Sequence, residues 1–203
     1  MTPNRGVARA ASALLALALA VGLAACGSDP LADQYRAGDN KGFIAADGFQ
    51  TKEIAPAERE APVDFTGTTE RGDAVSSDQY RGGVLVVNFW YAACGPCRAE
   101  ADFLETAYTS FAGQDVAFLG INTSDSAATA GAFADKYGVT YPSALAAEDG
   151  ALKLAFAQRT PINATPTTLV LDKQGRVAAR IIGQLSESSI LETIVRDVLA
   201  EQS

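Results

Sequence analysis

The sequence contains no histidine, and only three cysteines, one methionine and one tryptophan among its 203 residues. Without imidazole the chain cannot assemble the common zinc or copper centres, a Ser-His or Cys-His nucleophile pair, or the Cys-x-x-Cys-His attachment of a c-type haem. Positive charge is also scarce: 16 Lys and Arg stand against 24 Asp and Glu, for a net charge of −8. That balance offers neither the basic footprint that nucleic acid requires nor a polybasic attraction to anionic lipid, so no nucleic-acid partner is expected. Apolar runs of the roughly 20 residues needed to span a bilayer are missing too. At 48% apolar composition the chain suits one domain with a substantial core.

What apolar length there is lies near the start. Arg5 and Arg9 precede an Ala/Leu-rich stretch at residues 10–23, and Leu23-Ala24-Ala25-Cys26 follows it. Charged n-region, short apolar h-region and small-residue cleavage site are the parts of an export signal, with a permanent transmembrane anchor as the alternative. The tetrapeptide also resembles the lipobox of bacterial lipoproteins, which implies lipid on Cys26 as the first mature residue. Residues 1–25 are then a signal peptide, and the mature protein sits outside the cytoplasm on the cell membrane. This accounts for the odd cysteine, which would otherwise suggest a free thiol or an intermolecular bridge. Residues 26–40 read as a lipid-anchored tether, small and polar, with a reach of roughly 20 Å, and residues 41–203 as the folded domain.

Within that domain, Asp47-Gly48 between apolar segments predicts a two-residue hairpin turn, and residues 61–65 a further short strand. Arg71-Gly72-Asp73 reads as a turn rather than as an adhesion tripeptide. Residues 84–90 form an almost unbroken β-branched and aromatic run, as in a central strand buried on both faces. Residues 100–111 carry helical spacing, residues 116–121 a second buried strand, residues 129–137 a helix closed by Gly138, and residues 151–156 a shorter helical piece. Asp172-Lys173-Gln174-Gly175 predicts a hairpin joining residues 167–171 to 176–182. Ser186 and Ser189 precede an amphipathic run to Leu199. Strands joined by crossover helices and ending in a hairpin make an α/β fold, with a mixed central sheet flanked by helices.

Cys94-Gly95-Pro96-Cys97 sits between the buried strand and the helix. A helix start offers unsatisfied N–H groups and a positive dipole end, which favour a thiolate, so Cys94 reads as the nucleophile. Cys97, one turn on, can close a disulfide and release a mixed-disulfide intermediate. Gly95 has no side chain and Pro96 no N–H, so neither adds a donor to the thiolate. Zinc is excluded by the missing ligands and haem by Arg98 in the histidine position. An inert structural disulfide is the remaining alternative, and neither a cofactor nor a metal is implied.

Three separated motifs, Val87-Asn88-Phe89-Trp90, Cys94-Gly95-Pro96-Cys97-Arg98-Ala99-Glu100 and Ala164-Thr165-Pro166-Thr167-Thr168, together resemble the membrane-tethered thioredoxin-like proteins of the TlpA/ResA family. The resemblance implies a thioredoxin-like fold with an N-terminal β-hairpin and a central insertion at residues 116–155. It implies a cis-proline at Pro166 beside the cysteines and, with Thr165, Trp90, Gly95 and Pro96, a substrate-docking edge; Trp90 reads equally as a core residue. Two positions depart from the pattern. Asn88 stands where thioredoxins proper carry a proton-relaying aspartate, and an amide cannot titrate. Glu100 is the candidate replacement, its competing reading being a helix-start acid stabilised by the dipole. Asp102 replaces a usual proline, which puts the family's helix kink in doubt.

The family implies an extracytoplasmic thiol–disulfide oxidoreductase that reduces exported protein clients, apocytochrome c among them, and is re-reduced by a membrane electron-donor partner. The rival readings are a thiol oxidase or isomerase for oxidative folding of exported proteins and a tethered binding module with a structural disulfide. Tyr91-Ala92-Ala93 lacks the threonine of a peroxiredoxin, and the absent histidines argue against a copper chaperone.

Overall fold

The computed structural model describes residues 43–44, 50–157, 159–160 and 164–201. Cys26, the signal and tether segments and the Asp47-Gly48 turn lie outside them. Along the chain run β1 (Phe43–Ile44), β2 (Gln50–Glu53), the hairpin β3 (Thr66–Thr68) and β4 (Ala74–Ser76), and β5 (Val84–Trp90). Then come α1 (Gly95–Ser110), β6 (Val116–Asn122), α2 (Ala127–Tyr137), β7 (Ser143–Leu145) and α3 (Gly150–Ala157). The chain closes with β8 (Thr167–Leu171), β9 (Val177–Ile182) and α4 (Ser188–Ala200).

Seven strands form one mixed sheet in the order β1-β2-β9-β8-β5-β6-β7. β5, β6 and β7 run parallel, as crossover helices dictate, and the strands on the other side of β5 pair antiparallel. All seven residues of β5 are buried. Because successive strand residues face opposite sides, Val84, Val86 and Trp90 enter one core and Leu85, Val87 and Phe89 another. Residues of α1, α2 and α4, including Leu104, Phe133, Leu191 and Val195, fill the first core. The second is closed by α3 through Leu152 and Phe156 and by Val63, Phe65 and Val75 from the β3–β4 side. Each such large apolar side chain contributes roughly 1.5–3 kcal/mol on burial.

The local signals mostly act where they stand in the sequence. Ser126 caps α2 by accepting from the Thr129 N–H at 3.3 Å, and Gly138 ends it at φ 68°. The Asp172–Gly175 turn joins β8 to β9, with Gly175 donating to the Asp172 carbonyl at 2.7 Å. Arg71-Gly72-Asp73 is the turn of the β3–β4 hairpin, where Gly72 has φ 89°.

β1 and β2 pair antiparallel through Phe43↔Thr51 and Ile44↔Gln50. Three expectations need correction. Residues 61–65 form no strand: Pro62 has no N–H to give a ladder, and the strand starts at Thr66, although Val63 and Phe65 are buried. The crossover from β6 to β8 contains the unforeseen strand β7, three residues held by the pairing Gly120↔Ser143 to Asn122↔Leu145. α4 starts at Ser188 with Glu187 at its cap and no side-chain capping bond, so neither Ser186 nor Ser189 caps it.

Candidate active site

β5 ends at Trp90, and residues 91–93 lead straight into α1, whose N-cap is Cys94. The turn is tight: the Cys94 N–H donates to the Tyr91 carbonyl at 3.1 Å. Cys94 Sγ in turn accepts the Cys97 N–H at 3.1 Å, one of the orphan donors of the helix start. The two cysteines are joined as a disulfide with Cα atoms 5.2 Å apart. Both are buried, while Gly95 and Pro96 are exposed beside them. The sulfurs differ in setting. Cys97 looks inward onto a cavity of ≈ 10 Å³ shared with Asn88, Trp90, Leu104 and Tyr141, roughly the room of one water. Cys94, the N-cap of α1, occupies the loop side of the pair.

Behind the disulfide stands Glu100, 1% exposed and on the same inward helix face as Ala101 and Leu104. Its Oε1 accepts from Asn88 Nδ2 at 2.9 Å and its Oε2 from the Leu185 N–H at 2.8 Å. Burial pushes its carboxyl up to about 7, against the two hydrogen bonds, which favour the charged form. The helix-start dipole reading of Glu100 is therefore overturned, because three residues beyond Cys97 the helix has turned this side chain into the core. Asn88 also donates to Thr168 Oγ1 at 3.1 Å. Tyr141, fully buried, is held protonated by desolvation first and by the Glu100 and Glu105 charges second.

Trp90 does not fit the docking role. It is 5% exposed, donates its indole N–H to Ser143 Oγ at 3.2 Å and packs on Phe133 with ring centroids 4.3 Å apart. The close approach depends on Gly120, since a Cβ there would stand 2.8 Å from Trp90 Nε1 and closer still to the Ser143 hydroxyl. Thr165-Pro166 is a cis peptide. The antiparallel pairing Phe89↔Thr167 brings it to the end of β5, at the same sheet edge as the cysteine loop. Thr165 is half-buried and Pro166 buried. Asp102 is exposed on α1, which runs uninterrupted from Gly95 to Ser110.

One part of the site was not foreseen. The Asp125 carboxylate accepts from the Ala92 N–H at 2.6 Å and from Asn122 Nδ2 at 2.8 Å, through a single oxygen. Asn122 Oδ1 accepts the N–H groups of Ser124 and Asp125 at 3.1 and 2.7 Å. Thr123 donates to the Trp90 carbonyl from its N–H at 3.0 Å and from its hydroxyl at 3.3 Å. The loop after β6 thus holds the loop before Cys94. Asn122-Thr123-Ser124-Asp125 is legible as a side-chain-supported turn, but its reach to Ala92 comes only from the parallel register of β5 and β6.

The redoxin family profile matches residues 56–195. The thiol-disulfide oxidoreductase ResA of Geobacillus kaustophilus is 28% identical over 149 residues, 73% of this chain and 83% of that protein. Among solved structures, a DsbF homologue from Corynebacterium diphtheriae superposes with a TM-score of 0.65 at 29% identity, over 76% of this chain and 97% of that one. A secreted thiol-disulfide isomerase from Corynebacterium glutamicum gives a TM-score of 0.65 at 27% identity, over 78% and 97%. With a Cys-x-x-Cys disulfide loop at the end of a central strand, a cis-proline at the same edge and a profile spanning most of the folded domain, the chain belongs to the redoxin family, as a thioredoxin-fold thiol–disulfide oxidoreductase.

Proposed function

We propose that this oxidoreductase works outside the cytoplasmic membrane, tethered by lipid on Cys26, and that it reduces disulfides of exported proteins, apocytochrome c among them. The observation that carries the direction is the sparse support for a thiolate at Cys94. It receives the Cys97 N–H at 3.1 Å, while Gly95 brings no side chain and Pro96 no N–H. The guanidinium of Arg98 is directed to the Ala92 carbonyl at 3.5 Å, and the Ala92 N–H is held by the Asp125 carboxylate at 2.6 Å, so the loop before Cys94 carries a negative as well as a positive group. Strong oxidants stabilise their reduced thiolate, as DsbA does at about −120 mV; a weakly supported one moves toward the about −270 mV of thioredoxin.

In the cycle, the Cys94 thiolate attacks one sulfur of a client disulfide and releases the other as thiolate. Cys97 loses its proton to Glu100, one turn along α1, and its thiolate attacks Cys94 Sγ. The client leaves with both sulfurs reduced, and its two electrons are those given up as Cys94–Cys97 closes. A membrane dithiol donor then restores the pair by the same exchange in reverse.

The likeness to the C. glutamicum isomerase favours oxidative folding as a second reading. Equilibration of the Cys94–Cys97 pair against dithiothreitol and glutathione tests the choice. A potential on the reducing side, near that of thioredoxin, supports the proposal, and one near that of DsbA makes the oxidative reading the better one.

A further inference from the structure

Beside the redox loop, on the α3 side of the sheet, opens a cleft of ≈ 230 Å³. Phe89 and Ile121, the last second-core residues of β5 and β6, give it an apolar floor, and Tyr91 and Thr165 stand on the walls nearest Cys94. Thr123 and Ser124 add hydroxyls, and among the described residues Lys153 of α3 supplies the only charge of the lining. The volume lies below the roughly 300–1,000 Å³ of cofactor and drug-sized sites, so one side chain fits where a cofactor does not. The Lys153 ammonium is half-buried and donates to the Ala147 carbonyl at 3.1 Å. Among the described residues no carboxylate pairs with it, although a lysine has donors to spare beyond one carbonyl.

We propose that this cleft is a client subsite that selects an acidic side chain flanking the client's reacting cysteine, with Lys153 as the specificity-determining residue. The inference rests on the exchange activity proposed above. A client strand laid along Thr165-Pro166 to present its cysteine to Cys94 projects alternate side chains toward the sheet edge. Thr165 belongs both to that edge and to the cleft, and Tyr91 is bonded through its carbonyl to Cys94 N. An aspartate or glutamate entering there lays its methylene stem on Phe89 and Ile121 and brings its carboxylate to Lys153 and the hydroxyls. The rest of this acidic protein, at net −8, repels such a client, so Lys153 marks the one place where the lining attracts it.

The test uses short peptides that carry one cysteine in a mixed disulfide with 2-mercaptoethanol, flanked on either side by Glu, Gln or Lys. The dithiol form of the whole chain, prepared with dithiothreitol and freed of it, reduces each peptide disulfide as Cys94 and Cys97 are oxidised. The ratio of second-order rate constants for this single turnover between peptides, taken within one protein, is the readout. In the wild type Glu peptides are expected to react roughly two- to fivefold faster than Gln peptides, the range of a partly solvated ion pair, with the preference fading at high salt. Lys153→Gln should bring the ratio to one, and Lys153→Glu should invert it toward Lys peptides. Exchange without discrimination in the wild type, or a ratio unmoved by Lys153→Glu or by salt, overturns the subsite alone. No exchange with any peptide overturns the activity reading and the subsite with it.

Discussion

The amide nitrogen of Asn88 lies 2.9 Å from Oε1 of Glu100, so the strand beneath the disulfide and the helix that carries it share one buried hydrogen bond. Both carboxylate oxygens of Glu100 accept N–H groups. When Glu100 takes up a proton, one oxygen must donate, and Asn88 can receive it only by turning its amide over to present Oδ1. The orientation of an untitratable side chain thereby follows the charge of its neighbour.

That coupling makes stability depend on pH in a stated direction. Folded Glu100 keeps its proton up to about pH 7, whereas an unfolded glutamate loses it near about 4.3. Between these values the folded chain binds the extra proton, so stability falls as pH rises through the window and stays lower above it. The loss is on the order of 3 kcal/mol. Urea unfolding of the oxidised protein between pH 5 and pH 8 should show it, and Glu100→Gln should flatten the dependence. Equal slopes in the two proteins would remove Glu100 as the titrating group.

The two thiols should separate by trapping. Cys97→Ser is expected to accumulate mixed disulfides with clients through Cys94, since the releasing sulfur is gone. Cys94→Ser leaves only the inward sulfur and should trap nothing. Non-reducing electrophoresis with mass spectrometry decides, and equal trapping by both variants would defeat the assignment.

Asp125 should act on reactivity through the loop it holds. Asp125→Ala leaves the Ala92 N–H without its 2.6 Å partner, at a cost of roughly 1–3 kcal/mol. Exchange should slow roughly tenfold or more as the loop before Cys94 loses its position. Asp125→Asn keeps an acceptor and should recover much of the rate. A rate that follows stability alone, with no rescue by Asn, would make Asp125 a stabilising residue only.

Gly120→Ala tests the Trp90–Ser143 contact. The added methyl, 2.8 Å from Trp90 Nε1, cannot coexist with the indole bond, and overpacking of this kind costs roughly 1–3 kcal/mol. Because the chain has a single tryptophan, its fluorescence reports the change directly. An unaltered spectrum together with unaltered stability would mean that the sheet moves to make room.

The proposed anchor has its own check. Cys26→Ser should abolish lipid attachment and release the protein from membranes or leave it unprocessed, with exchange by the folded domain intact. Wild-type protein isolated from membranes without lipid on Cys26 would end the lipoprotein reading.

Much of this was readable in the sequence where chemistry is local. The seven-residue run of β5, the C-x-x-C at its end, the Asp172–Gly175 turn and the glycine that ends α2 each state their conformation in adjacent residues. β7 was not readable, because Ser143-Ala144-Leu145 becomes a strand only through pairing with β6. Glu100 stands between two readings in the sequence for a related reason: an acid at a helix start looks solvated until the neighbouring layer, here Leu185 and the β5 strand, covers it. Asp125 and Lys153 acquire their roles from partners 33 residues away at Ala92 and across the cleft at Thr165, and no local pattern announces either.

The disulfide closes a ring spanning a sequence separation of only 3. In the chain-entropy description a loop that short restrains the unfolded chain by only about 2 kcal/mol, a minor part of the roughly 5–15 kcal/mol that keeps an ordinary domain folded. The two cores on either side of β5 supply the remainder; the cysteines are buried at the margin of the first, whose bulk is aliphatic and aromatic. The domain can therefore open and close this covalent link on every turnover while its architecture persists, so the cysteine pair serves as a two-electron carrier, loaded when the bond is open and spent when it is closed, and not as a brace.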